Sequence, residues 1–256
     1  MKNSTFFQCV VFTFVLLSAV QSTAQNITGG TVTYQAITRY DFQTLFAPFA
    51  QEYPDWVNSI PTESEGQVTL AFTQNAALYD TRPDEQVLPK KLRDAQAKAA
   101  FMQGPSTELK KLYLDLDKNE LVRQVEFMGR LFLVSDTMAP KPWKLINKMT
   151  KILDYTCMGA EMQQDGTSVL AYFTSEIPVP AGPDEYFGLP GLVLAVEVDD
   201  ATAFLAQSVE LTPAAEDTVA KPEDGKKVTQ LEFERIVAEK TKEYQETKFE
   251  GGYHKK

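Results

Sequence analysis

Glu176, Asp184 and Glu185 fall inside one ten-residue window, and paired carboxylates of this kind are the usual raw material of general acid–base chemistry. Such a pair works only if one carboxyl is held protonated while the other stays ionised. The window also holds Pro178, Pro180 and Pro183, which predicts a solvated acidic loop without that asymmetry. Cys157, Met158 and Met162 offer soft sulfur donors of the type that bind Cu(I). In a strand, residues 157 and 158 face opposite sides, as do 157 and 162, so the sulfurs are expected to fill core space instead. Cys157 as a nucleophile would need a base, and the single histidine is His254 in the terminal Gly251-Gly252-Tyr253-His254-Lys255-Lys256. One His and two Cys exclude a histidine triad, a His-rich metal site and a zinc site of paired cysteines. The residues therefore predict no catalytic group, no metal ligand and no cofactor, and an enzyme is the disfavoured class.

The first residues predict export. Lys2 precedes an apolar run over residues 6–20, and Ser22-Thr23-Ala24 supplies the small residues of a cleavage site, so residues 1–24 are expected to be removed as a signal peptide. The run is shorter than the roughly 20 residues that a membrane span needs. Cys9 stands too early for a lipoprotein site. Cleavage removes it, leaving Cys157 as the only thiol and no disulfide to form. It also removes one lysine and no acid, so the net charge of −10 becomes −11. That acidity argues against nucleic acid or an anionic membrane as the main partner. With 43% hydrophobic residues over 256 positions, the chain can build one sizeable core plus an appendage.

The elements that must carry these residues read as a mainly β protein. Period-two alternation with β-branched and aromatic residues predicts strands over residues 31–38, 67–73, 112–116, 121–127, 130–135, 142–148, 151–162, 167–175, 192–198 and 204–211. Short connections between them predict a curved antiparallel sheet or an incomplete β-barrel within residues 25–211. Residues 83–108 differ: an Ala/Lys-rich stretch between prolines and Gly104-Pro105 predicts a helical arm inserted between strands. Residues 212–256 read as a linker and a C-terminal helix. Thr229 and Glu232 form a capping box there, and Phe233, Val237 and Tyr244 lie near one helical face, which is expected to pack on the sheet.

The most distinctive string is Gly188-Leu189-Pro190-Gly191-Leu192-Val193. Pro190 at the second and Gly191 at the third position predict a type II turn feeding a buried strand, so Gly188, Pro190 and Gly191 are assigned a structural role. The string resembles the signature of the GLPGLI family, with Val193 in place of the final Ile. Arg130-Leu131-Phe132-Leu133-Val134, Trp143-Lys144-Leu145, Tyr155-Thr156-Cys157 and residues 171–178 add to that resemblance, which spans about residues 110–211. It implies an exported protein of Bacteroidetes-like bacteria, of undetermined function, often encoded near outer-membrane receptors, and it supplies no catalytic residue. The chain departs from the pattern at Asp184-Glu185-Tyr186, where many members carry a Trp and a basic residue.

Tyr172, Glu176, Asp184, Glu185, Tyr186 and Phe187 are accordingly the residues expected to touch a ligand or partner. The expected function is that of a non-enzymatic binding or carrier protein of the envelope, periplasmic or secreted, for an apolar ligand or a lipidated peptide. The alternative is an interaction accessory of an outer-membrane receptor or secretion system.

Overall fold

The computed structural model describes residues 29–81, 88–164, 166–212 and 216–252. The signal peptide, Cys9, Asp165 and His254 lie outside the described residues. Twelve strands form one sheet: β1 (Gly29–Arg39), β2 (Glu63–Thr73), β3 (Ala76–Asp80), β4 (Thr107–Asp115), β5 (Glu120–Phe127), β6 (Arg130–Thr137), β7 (Lys144–Ile152), β8 (Tyr155–Gln164), β9 (Thr167–Thr174), β10 (Leu192–Val198), β11 (Thr202–Glu210) and β12 (Lys226–Thr229). Their spatial order is β12-β6-β5-β4-β3-β2-β1-β11-β10-β9-β8-β7. All pairs are antiparallel except β12 with β6. The sheet is open, with β12 and β7 as its two edges.

The connectivity forces that sheet to curl. The chain leaves β1 in one direction through β6, then crosses to β7 at the far edge and returns to β11 beside β1. Residues 138–143 make the crossing. In a flat sheet the ten strand spacings between β6 and β7 would measure roughly 48 Å. The connector reaches at most about 25 Å, so the two ends of the antiparallel run must be brought round toward each other. An incomplete barrel is the result.

Alternation puts Val32 and Tyr34, Val68, Leu70 and Phe72, Leu112 and Leu114, Val169, Ala171 and Phe173, and Leu192, Leu194 and Val196 into one buried core. The interior is filled by the chain itself. Ile177, Val179, Ala181, Phe187 and Leu189 of the β9–β10 loop are all buried in that core. Buried backbone must satisfy its polar groups, and this segment does so with three-residue turns over prolines, which have no N–H to leave unpaired. Val179 donates to the Ile177 carbonyl, Ala181 to Val179 and Gly191 to Leu189, each at 2.8 Å. The type II turn expected at Leu189-Pro190-Gly191-Leu192 is therefore replaced by a tighter one, because the Leu192 N–H is drawn to the Ile177 carbonyl at 3.0 Å.

Two helical parts complete the molecule. α1 (Phe42–Leu45) and α2 (Pro54–Asn58) pack with α3 (Lys90–Gln103) around Phe42, Phe46, Val57, Ile60, Leu92, Ala95 and Ala99. This is a separate small core. α4 (Gln230–Gly252) sets Phe233 against Phe127 and Phe132 of β5 and β6, with ring centroids 6.5 and 5.3 Å apart. The capping box forms: the Thr229 N–H donates to Glu232 at 2.8 Å, and the Glu232 N–H to the Thr229 hydroxyl at 3.3 Å. Thr229→Ala should cost about 1 kcal/mol in urea denaturation, the usual worth of such a cap. None of the described helices is long and apolar enough to cross a membrane.

Three details depart from strict alternation. β7 runs on through Ile152, and Leu153 takes the positive φ of the turn that the sequence places earlier, after residue 148. β3 and β12, short and partly polar, carry no period long enough to read. Cys157 and Met162 are both buried in the core while Met158 is exposed, because the alternation breaks opposite the β7 irregularity between Ile146 and Met149.

Candidate functional site

The residues expected to meet a ligand converge around the interior loop, but most of them face the protein. Phe187 is buried; the Trp143 indole donates to its carbonyl at 3.0 Å, and the Lys141 ammonium sits 4.9 Å from its ring centre. Trp143 and Lys141 of the connector 138–143 thus pack on Phe187 from outside the loop. Tyr172 is half-buried on β9 and packs against the main core. Glu176 alone is well exposed, and it accepts the Thr156 N–H at 3.0 Å at the start of β8. Tyr186 is half-buried with its ring 6.4 Å from that of Phe204.

Glu185 is held by Arg123. That guanidinium donates to Glu185 at 2.9 Å and to the Gln230 side chain at 2.8 Å, and it lies 3.5 Å from Asp136. One side chain of β5 thus ties together the loop, β6 and the first turn of α4. Asp184, its neighbour, has φ +52° and no such cation in contact. Burial and the nearby Glu185 charge push its carboxyl up to about 6. The Tyr186 hydroxyl is pushed up to about 12 by burial and by Asp184, and Tyr79 is raised further by the same causes. Lys141 is lowered, mainly by burial. Asp184 therefore binds its proton more tightly than an exposed carboxyl does, contrary to the solvated loop that the sequence predicts. Tyr79, Tyr186 and Lys141 lie close enough to Asp184 to interact with its charge.

Burial also pushes the Cys157 thiol up to about 11, which keeps it protonated and unreactive at neutral pH. Among the described residues no group of three or more His, Cys, Asp or Glu converges to hold a metal.

An accessible concavity lies elsewhere, on the helical side. Phe46, Phe49, Tyr53 and Trp56 from the α1–α2 segment face Ala97, Lys98, Phe101 and Met102 of α3 across a groove of about 750 Å³. Phe49, Tyr53 and Phe101 are exposed there. The Lys98 ammonium lies 5.4 Å from the Trp56 ring centre and is the one charged group of the lining among the described residues. The aromatic density of residues 42–56 is plain in the sequence; that α3 folds against it is not, because the two are separated by β2 and β3.

Residues 159–195, which include the whole Gly188–Val193 string, match the model of a family described as a protein of unknown function, Porph_ging. No curated protein matches the chain. Among solved structures, PNGF-II in its P21 space group is similar with TM-score 0.53 and 16% identity over 83% of this chain and 34% of that one. PNGF-II in its C2 space group gives the same score and identity over 83% and 33%. The chain spans about a third of the length of these PNGF-II chains. The likeness is one of fold.

Proposed function

We propose that the chain is an exported envelope protein of the GLPGLI type, from a Bacteroidetes-like bacterium, that binds an apolar acyl chain, free or attached to a peptide, without transforming it. The observation that carries this reading is the groove between α1–α2 and α3. Its volume falls in the range of small-ligand sites, its walls are five aromatic rings with Met102 and Ala97, and its Lys98 suits a carboxylate head group. Such rings stay partly exposed at a cost in water that an acyl chain would relieve. The interior of the curved sheet is a poorer candidate, since the β9–β10 loop fills it.

A dansyl-labelled fatty acid added to the chain lacking residues 1–24 should show enhanced emission, and Phe101→Glu should weaken it by about tenfold or more while leaving the melting temperature near that of the parent. Binding that ignores the substitution, or no binding by the parent, would remove the groove from consideration. Export is checked separately: N-terminal sequencing of the protein from the producing cell should begin at Gln25. A second reading, the interaction accessory, is favoured by the open edge of β7.

A further inference from the structure

The two edges of the sheet are finished differently. At one, β12 is four residues long and runs directly into α4, whose Phe233 packs over β5 and β6. At the other, β7 is nine residues long, and no strand among the described residues pairs with its outer side. A long unpaired edge is a row of free N–H and C=O groups, the usual template for a strand from another chain. β7 is also unusual in its side chains: Lys144, Leu145, Asn147, Lys148, Met149, Thr150 and Lys151 are all exposed. Met149 stands opposite Met158 in the ladder, and both are exposed, as is Leu145.

The charge on this edge opposes that of the molecule. Residues 144–152 carry three lysines and no acid in a chain of net charge −10. Two acids offset part of this charge, Glu161 opposite Lys144 in the ladder and Asp154 at 4.0 Å from Lys151 in a solvent-exposed pair, whereas Lys148 has no acid opposite it in the ladder. Lysines on an edge, with the irregularity between Ile146 and Met149, are a known guard against self-pairing, because a second copy of β7 would set lysine beside lysine. The same lysines fix what is admitted. A guard alone has no need of exposed Leu145 and Met149, which would give an incoming strand apolar side chains to cover.

The geometry points to β7 as the docking edge for an extended acidic segment of another protein, added as a further strand, with carboxylates against Lys144, Lys148 and Lys151 and apolar side chains against Leu145 and Met149. The occupant is a foreign acidic strand and not a second copy. This inference is independent of the acyl groove.

The test uses the chain lacking residues 1–24 and two capped peptides matched to β7 in length, one alternating Glu with Val and one alternating Lys with Val. The acidic peptide should slow hydrogen exchange at the amides of residues 144–152, and it should bind about tenfold or more tighter than the basic one by fluorescence anisotropy. The variant Lys144→Glu/Lys148→Glu/Lys151→Glu should reverse the order of the two peptides. The two-peptide comparison on the parent stands even if that variant fails to fold. Equal binding of both peptides, absence of protection at 144–152, or a concentration-dependent dimer protecting those amides would each overturn the proposal.

Discussion

Gly191→Ala is expected to destabilise the protein by more than about 4 kcal/mol, enough to leave little folded chain at ambient temperature. A Cβ at this position would overlap the Thr174 carbonyl, which is backbone at the buried end of β9 and cannot swing aside like a side chain. Relief requires the loop to withdraw, and the loop is the core: its neighbours Leu189 and Leu192 are 1% and 0% exposed, and Leu192 is bonded to Ile177 on the opposite limb. Withdrawal would uncover Ile177, Val179, Phe187 and Leu189 together. Gly188→Ala is the matched control. Gly188 has φ +90° with open space where the Cβ would go, so the cost there is backbone strain alone, about 1–2 kcal/mol. Urea denaturation of the two variants should separate them clearly. Equal losses would mean that close packing at Thr174 does not fix the loop.

That contrast shows what could be read from the sequence and what could not. β4 and β9 follow from regular alternation, as in Leu112 and Leu114 or Val169, Ala171 and Phe173, whereas β7 and β8 depart from it. The cap at Thr229 is local, and local rules suffice for it. The β9–β10 loop misleads because its composition, three prolines and three carboxylates within residues 176–186, is that of an exposed turn. Its burial follows from topology: β6 and β7 must meet through six residues, the sheet therefore curls, and the space it encloses has to be filled. Ile177, Val179 and Ala181 alternate with Pro178 and Pro180, so the apolar face was present, written with a residue that normally signals its absence. Lys141, Arg123 and Tyr79 act on Asp184 and Glu185 from sequence distances of 40 residues and more, where no motif spacing points to them. The groove aromatics were visible as residues but not as a wall, since the opposite wall is α3.

Asp184→Asn is expected to make the protein more stable at neutral pH, and the gain should vanish in acid. The Asp184 carboxyl sits at about 6 in the folded chain against 3.8 for the free residue, raised first by burial and then by the Glu185 charge. A carboxyl raised in the folded state binds its proton more tightly there than in the unfolded chain. The stability linked to that proton is fully present below about pH 4 and is lost as pH rises through about 6. At neutral pH the ionised group therefore carries a cost of about 3 kcal/mol, each tenfold difference in proton affinity between folded and unfolded chain being worth about 1.4 kcal/mol. Asparagine keeps the shape of the protonated acid, cannot ionise, and tolerates the φ of +52° that Asp184 adopts. The attraction of the ionised carboxylate to Lys141 opposes the burial effect and is already contained in the net value of about 6. Lys141 itself is held down mainly by burial, partly offset by the Glu185 charge; a neutral residue at 184 leaves that charge with Arg123 at 2.9 Å. Denaturation curves taken from about pH 4 to pH 8 should show parent and variant coinciding at the acid end and diverging through pH 6, with the variant above. A gap that does not change with pH, or a variant that is the weaker at neutral pH, would show that Asp184 is ionised at little cost and that the loop is not strained by its charge.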